Sequence, residues 1–482
     1  MKPLTAEEIR EALRGRWLRP PSEGSVRDVS TDTRTATGGE VYFALRGERF
    51  DGHDYLARAE EAGCVAAVVA RDADQLASLP EEGPMGLLVV PDTRRALGEL
   101  ASYYREMTSA TVVAVTGSNG KTTVKRMIDH VLGKHLAGRC SPKSFNNDIG
   151  VPVTLLSVEP GDDYVICEVG TSAPGEIAAL GSLIRPHVAV VTSVAAAHTE
   201  KLGNVDRVAV EKASLLSCLV PGGMGILLGD AEPLRRAAGL SLDPATNGTG
   251  RRLVRFGRSE DVDIRLTGRE PRPNGQRIQI NDRLWADLPV PGEHNALNAL
   301  AAIAAVQRFG LTQDAAAAAL ADFPGVPMRL QSVSQEGVAI INDAYNANPA
   351  SVAAALEVLA ETPASRRIAV LGDMLELGDR AEELHRQAGR EAAGRGIDLL
   401  IGVGALGRYI AEGAKDAGAA AECIDEVTEL ARELPARLRQ GDAVLVKGSR
   451  GMAMERVVQA VCEARATDDK PAGSAPAKDG TR

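Results

Sequence analysis

The chain has 482 residues, with 55 Lys and Arg against 65 Asp and Glu, a formal net charge of −10. At roughly 150 residues per domain, that length predicts about three domains, and 44% apolar with 25% charged residues is an ordinary globular composition. The acidic balance argues against a nucleic-acid partner, and 3% aromatics against a stacking platform for single strands. In chain order, Thr5-Ala6-Glu7-Glu8 is a capping-box pattern that opens a helix to about Trp17. A strand from Glu40 to Leu45, a helix from Asp54 to Ala62 and strands from Cys64 to Ala70 and Gly86 to Val90 follow. A helix from Thr93 to Met107 closes this mixed unit near Thr108-Ser109.

From Thr111 the pattern changes to apolar strands (Thr111 to Val115, Asp163 to Glu168, His187 to Thr192, Gly223 to Leu228) separated by helices. That alternation predicts an α/β fold with a parallel sheet covered on both faces. Leu253 to Val290, with Pro271-Arg272-Pro273-Asn274-Gly275 inside it, reads as a β-hairpin insertion. Two Ala-rich helices, His294 to Arg308 and Thr312 to Ala321, lead to a linker at Pro324-Gly325-Val326-Pro327. A second α/β series has strands Val338 to Asn342, Arg367 to Leu371, Leu399 to Val403 and Ala443 to Val446. The expected units are 1–108, 109–326 and 327–465, with a polar tail, 466–482, that cannot bury a core. Six cysteines without paired spacing, an N-terminus too acidic for a signal peptide and the lack of a membrane-length apolar run predict a soluble cytoplasmic protein.

The strongest chemical signal is Thr116-Gly117-Ser118-Asn119-Gly120-Lys121-Thr122-Thr123, where a strand runs into a Gly-rich turn and a helix opens at Lys121. Backbone N–H groups of such a turn and the helix N-terminus offer partial positive charge to phosphates. Lys121 can reach the outer phosphates, and the Thr122 hydroxyl can ligate Mg²⁺. Full phosphate-loop spacing would put glycine at 115, where Val115 stands, so the loop is a shortened Gly-x-x-Gly-Lys-Thr form.

Other polar groups stand at element ends. Glu168 suits a second Mg²⁺ or, alternatively, an N-cap partner before Pro174-Gly175-Glu176. His198 reads either as a metal or phosphate contact or as a satisfied polar side chain. Lys212, beside Glu211, is by itself indistinguishable from a solvated helix face. Asn295 and Asn298 share a helix face and suit an adenine edge, with simple N-capping by Asn295 equally open. Asn342-Asp343-Ala344-Tyr345-Asn346-Ala347-Asn348-Pro349 is too polar for a bare turn. Lys447-Gly448-Ser449-Arg450-Gly451 reads as an anion-binding helix start or a basic turn.

Together these segments resemble the Mur ligase family of ATP-dependent amide-forming enzymes of peptidoglycan synthesis, over all but the tail. Asp343 to Pro349, Leu371-Gly372-Asp373-Met374-Leu375-Glu376-Leu377-Gly378 and Lys447 to Gly451 most resemble the member that adds D-alanyl-D-alanine to UDP-N-acetylmuramoyl-tripeptide. The resemblance implies an N-terminal UDP-sugar domain, a central ATPase and a C-terminal Rossmann-like domain, working as a monomer with ATP and Mg²⁺. It implies catalytic roles for Lys121, Lys212, His198 and Arg329, and a nucleotide site of Gly117 to Thr123, Asn295, Asn298, Arg329 and Asp343. Thr122, Glu168, His198 and Lys212, the last as a carbamate, match the metal ligands. Ser30, Thr31 and Arg34, in a stretch that with Gly47 to His53 resembles the uridine loops, are implied substrate contacts, with Asn146, Asn147, Tyr345, Asn346 and Asn348. The chain departs from the pattern at Thr171-Ser172-Ala173-Pro174-Gly175-Glu176, at Thr192-Ser193-Val194 and at Met328, where glycine is common. Rival readings are another amino-acid-adding ligase of the family, diaminopimelate- or lysine-adding, and a non-catalytic nucleotide switch.

Overall fold

Three large sheets, built mostly of β-branched and small apolar residues, and a two-stranded pairing of Leu4–Thr5 with Ser25–Val26 organise the chain in a computed structural model that describes residues 1–22, 25–72, 82–196, 199–241, 250–273 and 275–466. The first sheet has the order Arg16–Arg19, Gly86–Val90, Ala66–Ala70, Glu40–Phe43, Asp28–Ser30, parallel except for its first strand. The predicted helix to Trp17 stops earlier, at Ala6–Leu13. Arg14 turns left-handed at φ 48° and Trp17 joins the edge strand, where it pairs with Leu88. A ladder partner, absent from any local pattern, outweighs the helical period there.

The central sheet has nine strands among the described residues, with Thr111–Thr116 between Tyr164–Glu168 and Val188–Val191. The chain leaves that strand to build first on one side and then on the other, so its carboxyl end is the topological switch point where open α/β sheets bind ligands. The segment expected as an insertion is instead continuous with this sheet. Arg252–Gly257 pairs parallel with Met224–Leu228 and Ile264–Arg272 parallel with Arg252–Gly257, and Gly275–Ile280 and Leu284–Leu288 then extend the sheet antiparallel. Helix Glu293–Val306, buried nearly all round, covers this half through Ala296, Leu300 and Ile303.

The third sheet has the order Gln331–Gln335, Val338–Asp343, Asp442–Lys447, Arg366–Gly372, Leu399–Val403, Ala421–Ile424. Its register sets Asp343 directly beside Lys447. Separate apolar clusters cover its two faces, whereas the first and central sheets share one cluster through helix Thr93–Met107. Tyr104 of that helix donates to the Val158 carbonyl at 2.6 Å and Arg105 to that of Ile184 at 3.0 Å. The predicted helix start at Lys447 to Gly451 is a single 3₁₀ turn, Arg450–Met452, and the helix proper is Glu455–Ala466. Among the described residues no helix is long and apolar enough to cross a membrane. The predicted tail beyond Ala466 lies outside the described residues.

Candidate active site

The turn after Thr111–Thr116 is built where only glycine fits. A Cβ on Gly117 would lie 2.0 Å from Thr192 Oγ1, and one on Gly120 2.3 Å from Asn298 Oδ1, and both glycines have positive φ. The Ser118 N–H donates to Ser193 O and the Asn119 N–H to Ser193 Oγ, both at 2.9 Å, which pins the turn to the neighbouring strand end. Helix Lys121–Leu132 begins at Gly120 with no side-chain cap, leaving first-turn N–H groups for an anion. Lys121 Nζ donates to Gly117 O at 2.8 Å, folding over the loop. Burial pulls its ammonium below the ordinary pKa, with Glu168 opposing and Arg329 adding to the fall.

Glu168 ends the adjacent strand and is 1% exposed. Its Oε2 accepts from Thr122 Oγ1 at 3.0 Å and lies 3.0 Å from Lys125 Nζ, while Oε1 accepts from Asn146 Nδ2 at 3.1 Å. Burial alone would raise its pKa, but Lys125, Lys121 and Arg329 outweigh that and hold the carboxyl below its usual range. The alternative of an N-cap partner for the next helix is not what forms, because Glu211 takes that place. Among the described residues no three Asp, Glu, His or Cys side chains are grouped to hold a metal by themselves.

Lys212 and Glu211, on helix Val205–Ser217, overturn the solvated-face reading: they are 1% and 7% exposed. Glu211 accepts from the N–H groups of Gly175 at 2.7 Å and Ile177 at 2.9 Å, so a carboxylate from another helix caps Glu176–Ile184. Burial, then the charge of Lys121, pulls the Lys212 amine well below its ordinary pKa. His198 lies outside the described residues.

The C-terminal unit supplies the opposite wall. Arg329 Nη2 donates to Thr122 Oγ1 at 3.0 Å, with its guanidinium 4.2 Å from the Tyr345 ring centroid. The Tyr345 hydroxyl donates to Ser144 Oγ at 2.6 Å, and Asn348 Nδ2 to Asn119 Oδ1 at 2.8 Å. Asn348 also caps helix Pro349–Glu361, so that residue serves both the turn and the site. Lys447 Nζ donates to Asp343 Oδ2 at 2.5 Å and to Asn346 O at 2.8 Å, which pairs its charge internally instead of leaving a free anion site. Asn298 Nδ2 donates to Asn295 Oδ1 at 3.2 Å, and Asn295 Nδ2 to Pro291 O at 2.7 Å, so Asn295 is not the N-cap. Apart from helix Val205–Ser217, these elements enclose one cleft of about 890 Å³.

Comparison with known proteins decides the family. Residues 115–306 match the Mur ligase middle domain, residues 328–450 the Mur ligase glutamate ligase domain and residues 25–105 the Mur ligase family catalytic domain. A UDP-N-acetylmuramoyl-tripeptide–D-alanyl-D-alanine ligase of Bacillus subtilis (strain 168) is 36% identical, across 95% of this chain and 98% of that one. The chain belongs to the Mur ligase family. Among solved Mur ligases, a crystal structure of MurF from Acinetobacter baumannii has a TM-score of 0.85 at 30% identity, covering 96% of this chain and 99% of that one. MurF from Thermotoga maritima in complex with ADP has a TM-score of 0.79 at 26% identity, covering 92% and 99%.

Against the Mur ligase pattern, the structure gathers Ser118 to Thr123, Asn146, Asn147, Glu168, Asn295, Asn298, Arg329, Asp343, Tyr345, Asn346 and Asn348 along the cleft. Lys212 is not among the lining residues, but the Lys121 charge reaches it. Ser30, Thr31 and Arg34 are not among the lining residues. Ser30 Oγ donates to Asp32 O at 3.0 Å within its own turn, and Arg34 is held by Asp32 at 2.7 Å with its side chain 81% exposed. Arg94, which no motif flagged, is what the N-terminal unit contributes, with Nη1 3.2 Å from Asp148. The departure at Met328 has a backbone reason: Met328 and Leu330 have φ of 57° and 49°, so Arg329 is presented by two left-handed residues, where glycine costs least. In the departing turn, Glu176 accepts from the Ser172 N–H at 2.6 Å and the Ala173 N–H at 3.2 Å, which orders it without the usual residues.

Proposed function

We propose that this Mur ligase adds D-alanyl-D-alanine to UDP-N-acetylmuramoyl-tripeptide at the expense of ATP, as a cytoplasmic monomer. The observation that carries the reading is the Arg329–Thr122 hydrogen bond, which brings a C-terminal cation to the phosphate loop beside Lys121. We assign 1–108 to the UDP-sugar, 109–326 to ATP and 327–465 to the acceptor side, each enclosing one of the three large sheets.

A carboxylate is a poor electrophile, so the terminal carboxylate of the tripeptide takes the γ-phosphoryl group of ATP to become an acyl phosphate. The amine of D-alanyl-D-alanine attacks that carbonyl, and phosphate leaves the tetrahedral intermediate as the amide forms. The uncapped helix at Lys121, the Lys121 ammonium and the Arg329 guanidinium neutralise charge on the transferring group, while Asn295 and Asn298 flank the base. Thr122 and Glu168, with oxygens 3.0 Å apart, fit Mg²⁺ brought with ATP, a hard cation that takes few protein ligands beside phosphates and water. Bound there, it would supply further charge neutralisation, and a second Mg²⁺ would be held by Glu168 with His198 and a Lys212 carbamate. A buried amine held below its ordinary pKa is the form that combines with CO₂, which supports the carbamate. Phosphate release that requires both D-alanyl-D-alanine and UDP-N-acetylmuramoyl-tripeptide is the expected result. Release with a single amino acid such as diaminopimelate or lysine instead, or with neither substrate, refutes the assignment.

A further inference from the structure

The phosphate-loop helix carries a second lysine that the reaction outlined above leaves without a task. Lys125 stands one turn beyond Lys121 and is wholly buried. Its Nζ donates to Ser141 O at 2.9 Å, Ser141 Oγ at 3.1 Å and Lys143 O at 2.6 Å, and lies 3.0 Å from Glu168 Oε2. An apolar side chain of similar volume could fill this space without the desolvation cost of a buried ion pair, so packing alone does not account for it. Four oxygens on one ammonium join the strand end at Glu168 to the segment 141–146. That segment carries Asn146, which donates to Glu168 Oε1, and Ser144, which accepts from Tyr345. Tyr345 in turn lies under Arg329, and Arg329 returns to Thr122 on the helix that bears Lys125. The circuit closes on itself through three elements of the central unit and two loops of the C-terminal unit.

We propose that Lys125 is a positioning residue for the ligase reaction, holding the Glu168 carboxylate and the 141–146 segment as one rigid unit against the nucleotide's metal and the incoming Tyr345. The inference rests on the ligase reading, yet its test does not require turnover. Lys125→Met keeps the apolar stem and removes the donor; Glu168→Gln removes the carboxylate charge. For each variant and the double variant, N-methylanthraniloyl-ADP affinity is titrated with and without Mg²⁺, and kcat is measured by phosphate release. Lys125→Met is expected to bind metal-free nucleotide within about twofold of wild type while losing the Mg²⁺-dependent gain in affinity. Its kcat is expected to fall about 100-fold, the scale of a misplaced catalytic contact. Because Lys125 acts through Glu168, the double variant should be no worse than the worse single variant. A double variant whose losses multiply overturns the proposal. So does a Lys125→Met that binds Mg²⁺–nucleotide more tightly, the result of merely deleting a nearby positive charge, or one that behaves as wild type. Should Lys125→Met not fold, Lys125→Arg, which keeps the charge and changes the geometry, carries the same cycle. Failure of wild-type turnover would count against the ligase reading and leave the nucleotide cycle to decide Lys125 by itself.

Discussion

Arg329 Nη2 donates to Thr122 Oγ1 at 3.0 Å, joining two residues 207 positions apart and closing the C-terminal unit onto the phosphate loop. The guanidinium is held by the Tyr345 ring and by two left-handed neighbours, so it is aimed before substrate arrives. Arg329→Ala is expected to lower kcat/KM by about 100- to 1,000-fold, the usual loss when one preorganised donor to developing charge is removed. The thermal midpoint should move little, since the residue lies at a cleft wall. Steady-state kinetics beside a melting curve checks both, and near-normal turnover would remove Arg329 from the site.

Lys212→Ala is expected to be folded and inactive, with part of its activity restored by acetate or another small carboxylate. The expectation follows from an amine that is buried, depressed in pKa and close to Lys121, the setting for a carbamate. Titrating the carboxylate against phosphate release measures the rescue. A well-folded variant that no carboxylate restores would argue for a purely structural lysine.

Arg269 of the central sheet grips helix Pro349–Glu361 through Glu361, with Nη1 2.9 Å from Oε2, and through Glu357 at 3.4 Å. The pair ties the central unit to the C-terminal unit away from the cleft lining. Removing a half-buried, bidentate pair of this kind should weaken the closed arrangement by about 1 kcal/mol, a fivefold change in population. Arg269→Ala should therefore raise KM about fivefold with kcat nearly unchanged, and enlarge the radius of gyration in solution scattering. Identical scattering and KM would show that the inner contacts alone hold the units together.

His187 Nδ1 accepts from the Val112 N–H at 2.9 Å, a bond open only to the neutral ring. Burial, then the charge of Arg105, pushes its pKa down to about 4. Between an unfolded value of about 6.5 and the folded value, the unfolded chain binds a proton that the native chain refuses, so stability falls as pH drops through that window. At pH 5 the contribution, discounted for solvent screening, is about 1 kcal/mol. His187→Asn should lose less stability than wild type between pH 7 and pH 5 in parallel melts. Equal losses would place the acid sensitivity elsewhere.

The phosphate loop was legible because its chemistry is contiguous: glycines, Lys121 and Thr122 act within one turn, and their spacing is their geometry. Strand and helix periods were likewise local, so Thr93–Met107 and Leu399–Val403 fall where the pattern puts them. The edge strands Arg16–Arg19 and Gln331–Gln335 were not legible, because a polar or mixed run becomes a strand only when a neighbour offers its ladder. Burial was the other blind spot. Lys125, Glu211 and Lys212 look like any charged residues of an exposed helix, and only the packing of that helix decides which side is dry. The Asp343–Lys447 pair spans 104 positions and exists because of strand order, and Ser30 and Arg34 do not line the cleft. By itself, then, the sequence determined the family, the nucleotide loop and the run of elements, all of which depend on near neighbours. Which charges are buried and which units face the phosphates depended on contacts between distant segments, and those only the tertiary structure decided.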